Sequence, residues 1–343
     1  MANLWLDGFE ASTDTSQGPR YYVFTQGGLT KSTGRIEGDS TTMYSVRMTT
    51  RSFGEFDGWY SGFGIRLTGD PTDGTITMQR GGLEQLRLVF IDNAGTGFQI
   101  EIRRGATLLA TSTTTYDYNA WHYIEWSAII STTIGEYEVR VNEVQDAGAT
   151  DLAGTANTAN TGVDGADQYH WDWPDASGAP LVDDWYINND QGGVNDGFWG
   201  DTLIKPLRVT ANGNQNDWTR NSGAANYEMV DDVAVSDGSN TIESDTNGQI
   251  DLFELSNLGT VTGTILSVQV EISSAMTTSG SRVLRPRLRD TTATPGEAAG
   301  TNFTVNDTSF ETFTEVFDIN PVRSLAWTES EINGLEIGPE VVS

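Results

Sequence analysis

Side chains able to do chemistry are few in kind here. The 343 residues contain no cysteine and two histidines, His122 and His170. That excludes thiol nucleophiles, thiolate metal sites and a disulfide framework, and it leaves little for imidazole catalysis. Neither a G-x-S-x-G turn nor a histidine-containing triad is present. Carboxylates abound instead, 48 Asp and Glu against 19 Lys and Arg. The most suggestive spacing among them is Glu136-Tyr137-Glu138-Val139-Arg140. On a strand this puts Glu136, Glu138 and Arg140 on one face, with the carboxylates ~7 Å apart, near the separation a retaining glycosidase needs. The cation in third place favours a plainer reading, a solvated strand face of balanced charge.

Two further groups invite a binding role. In Tyr169-His170-Trp171-Asp172-Trp173-Pro174, an exposed indole would stack on a sugar ring while Asp172 takes its hydroxyls. Tyr169, Trp171, Asp172 and Trp173 are therefore candidates for glycan binding. The competing reading places the same rings in a core or a contact with a second domain. Alternation sends Trp171 and Trp173 to one side together, so both are buried or both exposed. The second group is cationic: Arg282, Arg285, Arg287 and Arg289. Residues 285, 287 and 289 would line one strand face, and Pro286, unable to donate to a ladder, predicts an edge strand. The stripe either docks an acidic neighbouring subunit through bidentate carboxylate contacts or balances acids within its own domain.

The overall charge narrows the partners. A formal net charge of -29 with pI near 4.1 is unsuited to nucleic-acid phosphates, which are gripped by cations. An anionic membrane surface is disfavoured for the same reason. No run of about 18 apolar residues is present to span a bilayer. The opening Met-Ala-Asn-Leu-Trp-Leu-Asp-Gly lacks the basic and apolar regions of a signal peptide, so synthesis without Sec export is expected.

The elements that would position these residues read as all-β. The 34 aromatic residues favour pleated strands, and 38 glycines favour the turns between them. Met43–Met48, Leu86–Ile91, Phe98–Arg103, Trp121–Trp126 and Gly135–Asn142 alternate as half-buried strands do. Asp92-Asn93-Ala94-Gly95 between two such runs predicts a hairpin. Residues 146–179 break the rhythm and read as a long loop, too poor in apolar residues for a core strand. Pro180–Ile187 closes the first half as a strand. The Asn/Asp/Gly-rich stretch after it places the boundaries at 1–190 for a first domain, 191–202 for a linker and 203–343 for a second β domain. Within the second, 211–249 is largely polar, Thr328 and Glu331 form a T-x-x-E helix start, and residues 335–342 read as a last strand.

Three pieces resemble the concanavalin A-like, laminin-G-type jelly roll: Trp121-His122-Tyr123-Ile124-Glu125, Gly135–Glu143, and Leu181-Val182-Asp183-Asp184-Trp185-Tyr186-Ile187. The whole chain resembles virion structural proteins of tailed bacteriophages, on Val182–Asp190 and Ala326–Gly338. The resemblance implies a jelly-roll sandwich followed by a smaller β-sandwich that anchors or oligomerises. It implies a virion component, a tail fibre, tail-associated adhesin or head-surface fibre, acting by binding and assembly without chemistry. Its partners would be other virion proteins, further copies of itself as a homo-oligomer, and a host surface polysaccharide. The alternatives are a capsid decoration or cement protein without ligand, and a bacterial glycan-binding or polysaccharide-degrading protein. Jelly rolls of this type often hold one structural calcium, for which Asp164, Asp167, Asp172 and Asp175 are the candidates; no other cofactor is implied. Glycosidases on this fold carry E-x-D-x-E on one strand. Glu136-Tyr137-Glu138-Val139-Arg140 departs from that pattern at its middle acid and at its third position.

Overall fold

Strands with alternating faces must pair edge to edge and bury one side, and this chain does both in antiparallel ladders. The computed structural model describes residues 3–9, 23–25, 28–36, 39–44, 46–72, 74–145, 152–174, 178–231, 240–292 and 295–343. They fall into two units, Ala2–Ile204 and Lys205–Ser343.

The first unit is a jelly-roll sandwich. One sheet sets side by side the strands Val144–Gln145, Gly135–Val141, His122–Ile129, Gly58–Leu67, Pro180–Asn189, Asp39–Tyr44 and Gly28–Thr33. Asn3–Asp7 and Ala153–Ala156 add to it on Pro180–Asn189 and Gly135–Val141. The other sheet runs Thr107–Thr111, Phe98–Arg104, Leu83–Asp92, Thr75–Arg80, Gln168–Trp173, Val46–Thr49 and Val23–Thr25. Between the sheets lie Trp59, Phe63, Trp126 and Trp185 from the first, and Phe90, Phe98, Tyr169, Trp171 and Trp173 from the second. The rings meet edge to face, Phe63 on Trp171 at 5.0 Å and Trp171 on Trp185 at 5.4 Å. Large aromatics supply the buried area that a chain only 37% hydrophobic would otherwise lack.

Two sequence expectations are corrected here. Residues 146–179 are not one long loop: Gln168–Trp173 is an inner strand, paired on one side with Thr75–Arg80 and on the other with Val46–Thr49. Its polar residues His170 and Asp172 face away from the core, so half the strand carries all of its apolar character. Residues 191–202 are likewise no linker, because the first unit extends to Ile204 and these residues are bonded across its sheet, as described below.

Pro180–Asn189 changes phase partway along. Asp183 faces Gly64 and Tyr186 faces Gly62 on the neighbouring strand, so Asp184 and Trp185 together oppose one residue. This is a β-bulge, with Asp184 at φ 52°. It lets Val182, Trp185 and Ile187 all reach the core and turns two consecutive carboxylates to the outer side.

The second unit is a smaller β-sandwich. Its main sheet runs Val209–Asn216, Asp251–Leu255, Leu335–Val341, Arg282–Asp290 and Gly296–Ala299, with Phe303–Val305 also on Arg282–Asp290. The pair Val268–Ser274 and Glu311–Phe317 packs against it through Val270, Phe317 and Leu288. Thr328 and Glu331 form the expected capping box at the start of the helix Glu329–Asn333. Pro286 is not on an edge strand. Arg282–Asp290 has partners on both sides, and Pro286 falls between the ladder to Phe303–Val305 and the ladder to Gly296–Ala299. A missing N–H is harmless at that gap.

Candidate functional site

A dense set of titratable groups lies on the outer face of the first unit's larger sheet. Its floor is three cross-strand rows: Tyr123–Gly64–Asp183, Glu125–Gly62–Tyr186 and Ser127–Tyr60–Asn188. The two glycines make a trough. A Cβ on Gly62 would stand 2.3 Å from the Tyr186 ring, and one on Gly64 would stand 2.8 Å from Arg35 Cδ. Tyr186 therefore lies flat across the strand and donates to Glu125 at 2.5 Å. Arg35 lies across beside it, 4.8 Å over the Tyr123 ring.

Residues 195–204 cross this floor as a strap. Asn188 Nδ2 donates to Asn195 O and Gly197 O, and Phe198 sits edge-on to Tyr60 with the Arg140 guanidinium 4.0 Å above it. Trp199 stacks on Tyr186 at 4.5 Å and 16°. The N–H groups of Trp199 and Gly200 donate to Glu125 at 2.9 and 2.8 Å. Arg35 donates to Asp184 through Nε and an Nη, to Asp201 through the other Nη, and to Thr202 O. Ile204 N–H donates to Asp184 at 2.8 Å.

Burial, with Asp184 beside it, pushes the Asp183 carboxyl up to about 7, although Arg35 and Asp184 both donate N–H to it. Burial also raises Asp184. For Arg35 the desolvation is outweighed by Asp184 and Asp201, which hold the guanidinium above its ordinary value. This region can hold a segment of its own chain. Its donors and acceptors are occupied in doing so.

An open cluster stands at one end of the sandwich. The turn after Leu83–Asp92 presents Asp92, whose carboxylate accepts Gly95 N–H at 3.0 Å and the Tyr118 hydroxyl at 2.5 Å. Tyr118 is half-buried, its ring stacked 6.3 Å from Phe98. Phe98 in turn is met edge-on by His122, whose Nε2 lies 3.1 Å from Asp117 O. Asn93 Nδ2 donates to Thr115 Oγ1 at 2.6 Å, tying the two loops together. Asp70, Asp117 and Asn119 are exposed. Burial, then Asp92 and Asp70, hold the Tyr118 phenol well above its ordinary value, so it stays a neutral donor. Nothing in the spacing of Asp92 and Tyr118 announces this pairing; Tyr116-Asp117-Tyr118-Asn119 in a polar loop was the available sign.

The residues singled out from sequence end up elsewhere. Tyr169, Trp171 and Trp173 are at most 1% exposed, so they form core, and their candidacy as sugar platforms is withdrawn. Asp172 faces outward and pairs with Arg47 at 3.2 Å. The described members of the calcium set are each engaged separately. Asp164 caps Thr132 N–H, Asp167 accepts Gly81 N–H, Asp172 holds Arg47, and Asp175 lies outside the described residues. Among the described residues no group of three or more metal-binding side chains comes together.

Arg285, Arg287 and Arg289 do share a face, but they are matched across the sheet. Arg285 is bidentate on Glu340, Arg287 holds Glu297, and Arg289 holds Glu336. These three carry the internal-balance reading; Arg282, half-buried at the strand start, faces Val305 across the ladder. Glu136 and Glu138 stand on the solvent side of their strand, with Arg140 on Glu138 at 2.8 Å.

No family model matches the sequence, and no curated protein matches it. Among solved structures the chain is similar to the T. cruzi calreticulin globular domain, at TM-score 0.38 and 9% identity, over 56% of this chain and 89% of that one. It is similar to domain 4 of AbnA, an extracellular arabinanase from Geobacillus stearothermophilus, in complex with arabinotriose (TM-score 0.37, 10% identity, 55% and 92% covered). It is also similar to lectin UEA-II complexed with galactose (TM-score 0.34, 11% identity, 55% and 99% covered). Likenesses at this level carry no residue-level argument, and the architecture stands on the sheet order given above.

Proposed function

We propose that this chain works by binding, and that its first unit takes carbohydrate at the loop end built on Tyr118. The observation that carries the reading is the Tyr118 ring at the rim, backed by Phe98 and fixed through its hydroxyl to Asp92. A sugar offers an apolar C–H face to such a ring and hydroxyl donors to neighbouring carboxylates, here Asp92, Asp70 and Asp117. A non-catalytic role is supported by the condition of the other acids. Glu138 is paired with Arg140, while Asp183, Asp184 and Glu125 accept from chain donors beneath the strap.

Calorimetric titration of the full chain with oligosaccharides chosen from a glycan array tests this. Tyr118→Ala and Asp92→Asn are expected to weaken binding at least tenfold. Ile134→Ser, on an exposed turn between other strands, serves as control. Binding indifferent to Tyr118→Ala overturns the site; release of shortened oligosaccharide overturns the non-catalytic reading.

The setting we propose is a phage particle, on the resemblance carried by Val182–Asp190 and Ala326–Gly338. There the second unit would anchor the chain to other virion proteins or to further copies of itself. Immunogold labelling of particles tests the setting separately. Label at the distal tail supports attachment, and label over the capsid supports decoration. Absence of label from particles overturns the setting and leaves glycan binding standing.

A further inference from the structure

Asp183 and Asp184 are consecutive residues, 1% and 0% exposed, and the bulge turns both to the outer side of the sheet. The cation that touches the pair is Arg35, and it is shared with a third acid, Asp201, on the strap. Glu125 lies one row further along, and Glu143 reaches the strap through Asp201 N–H. Tyr123 and Tyr186 stay neutral, their phenols raised chiefly by burial. At the far end Arg140 is spent on Glu138, and Asp190, Asp196, Glu136 and Glu138 act on Tyr60. Arg66 stands on the same face one row beyond Gly64 and Asp183, but the bonded guanidinium is that of Arg35, which answers three carboxylates, two of them out of water. Like charges in a shared buried site do not both ionise without large cost, so one proton belongs there.

We propose that residues 195–204 form a proton-controlled clasp, shut while the Asp183–Asp184 pair holds a proton and loosened when that proton leaves. Asp184 is where the clasp is fastened. It accepts Ile204 N–H directly, and it anchors the Arg35 that grips Asp201 and Thr202 O. With the strap lifted, water reaches both carboxylates and their proton affinity returns towards the ordinary value. The shut form therefore binds the proton more tightly than the open one, and by linkage deprotonation favours opening. Burial raises both carboxyls in the shut form, which agrees in direction.

Amide hydrogen exchange on the full chain, followed from about pH 5.5 to 8.5 and corrected for intrinsic rate, reads the clasp directly. Protection at Trp199, Gly200 and Ile204 is expected to fall at least tenfold from about pH 5.5 to 7 and to level off above that, while Ile65 and Trp126 in the strands below keep theirs. In Asp183→Asn the strap amides should show no such step. A flat wild-type profile overturns the proposal. So does an equal step in Asp183→Asn, or a fall shared by the core amides, which would report loss of the whole unit. Should Asp183→Asn fail to fold, infrared spectroscopy of the wild type decides. A protonated carboxyl band at about pH 6 that vanishes by about pH 8.5 supports the clasp, and its absence at pH 6 overturns it.

Discussion

Inward-facing positions of the first unit are dominated by rings, and Trp59, Trp126, Trp171, Trp173 and Trp185 are all fully buried between two large sheets. Among its described residues, the second unit has a main core cluster of six buried residues and a satellite of three. One face of its strand Arg282–Asp290 carries arginines against Glu336, Glu340 and Glu297. Both are acidic, with net charges of -17 to residue 204 and -12 beyond it. The first unit has enough apolar volume to offset the desolvation of Asp183, Asp184 and Arg35 beneath a strap. The second sets half-buried arginines against Glu336, Glu340 and Glu297, where the guanidinium side of each pair still meets water and salt and the net contribution of each is small. Two acidic units thus show two modes of stabilisation, one set by packed volume and one sensitive to ionic strength.

Truncating the aromatic core should break the comparison hardest. Trp171→Ala is expected to cost the first unit about 3–5 kcal/mol, with calorimetry of the full chain showing that transition lowered and the second unit's unmoved. A single shared transition would show that the units do not unfold separately.

Acid and base should then pull the units apart. Asp183 keeps its proton to about pH 7 when folded, whereas an unfolded Asp releases it near ~4. Its contribution is therefore fully present below the unfolded pKa and is lost as the pH rises towards 7. The first unit's midpoint is expected to fall between about pH 4 and 7, by on the order of 2–4 kcal/mol, and then to level off, and Asp183→Asn should flatten the slope. Asp290 works in the opposite sense. Burial opposes its charge, but donors from Thr292 and Arg323 hold its carboxyl below the ordinary value. Its contribution is present above the unfolded pKa and is lost in acid, so Asp290→Asn should remove part of the second unit's acid sensitivity.

Two smaller effects sharpen the contrast. Thr328→Ala removes the capping box of Glu329–Asn333 and is expected to cost about 1 kcal/mol, seen in the second transition alone. Arg287→Gln should cost about 0.5 kcal/mol in dilute buffer. That penalty should shrink in about 0.5 M salt, where screening has already weakened the wild-type pair.

Much of this was legible along the chain where neighbours in sequence are neighbours in space. Phe98–Arg103 alternates as a strand, Asp92–Gly95 turns, Thr328 and Glu331 cap, and Arg285, Arg287 and Arg289 share a face. Gln168–Trp173 was missed because an average over residues 146–179 hides three rings at period two. Its rings admit both a sugar-platform and a core reading, because alternation fixes that they share a side without fixing which side. The strap was missed for a different reason. Its partners Arg35 and Glu125 are 166 and 74 residues away from it, and its Asn/Asp/Gly composition is that of a linker. One sign was present in Gly62-Phe63-Gly64, where two missing side chains on one strand face announce something lying across it. Tyr118 and Asp92, 26 residues apart, meet only because two loops end on the same rim.

The strap also has a mechanical meaning. It is the last stretch of the first unit before Lys205, so tension pulled through the rest of the chain arrives first at Ile204. There the bonds are peeled in turn, Asp184 and Arg35 before Glu125 and Asn188, and each row yields separately instead of being sheared with the others. About ten residues then pay out, roughly 33 Å of extended backbone, before load reaches the strand Pro180–Asn189. Pulled through Lys205, the first unit would give way at this seam before any of its strands, leaving the sandwich intact and able to re-seat the strap once the pull is relaxed.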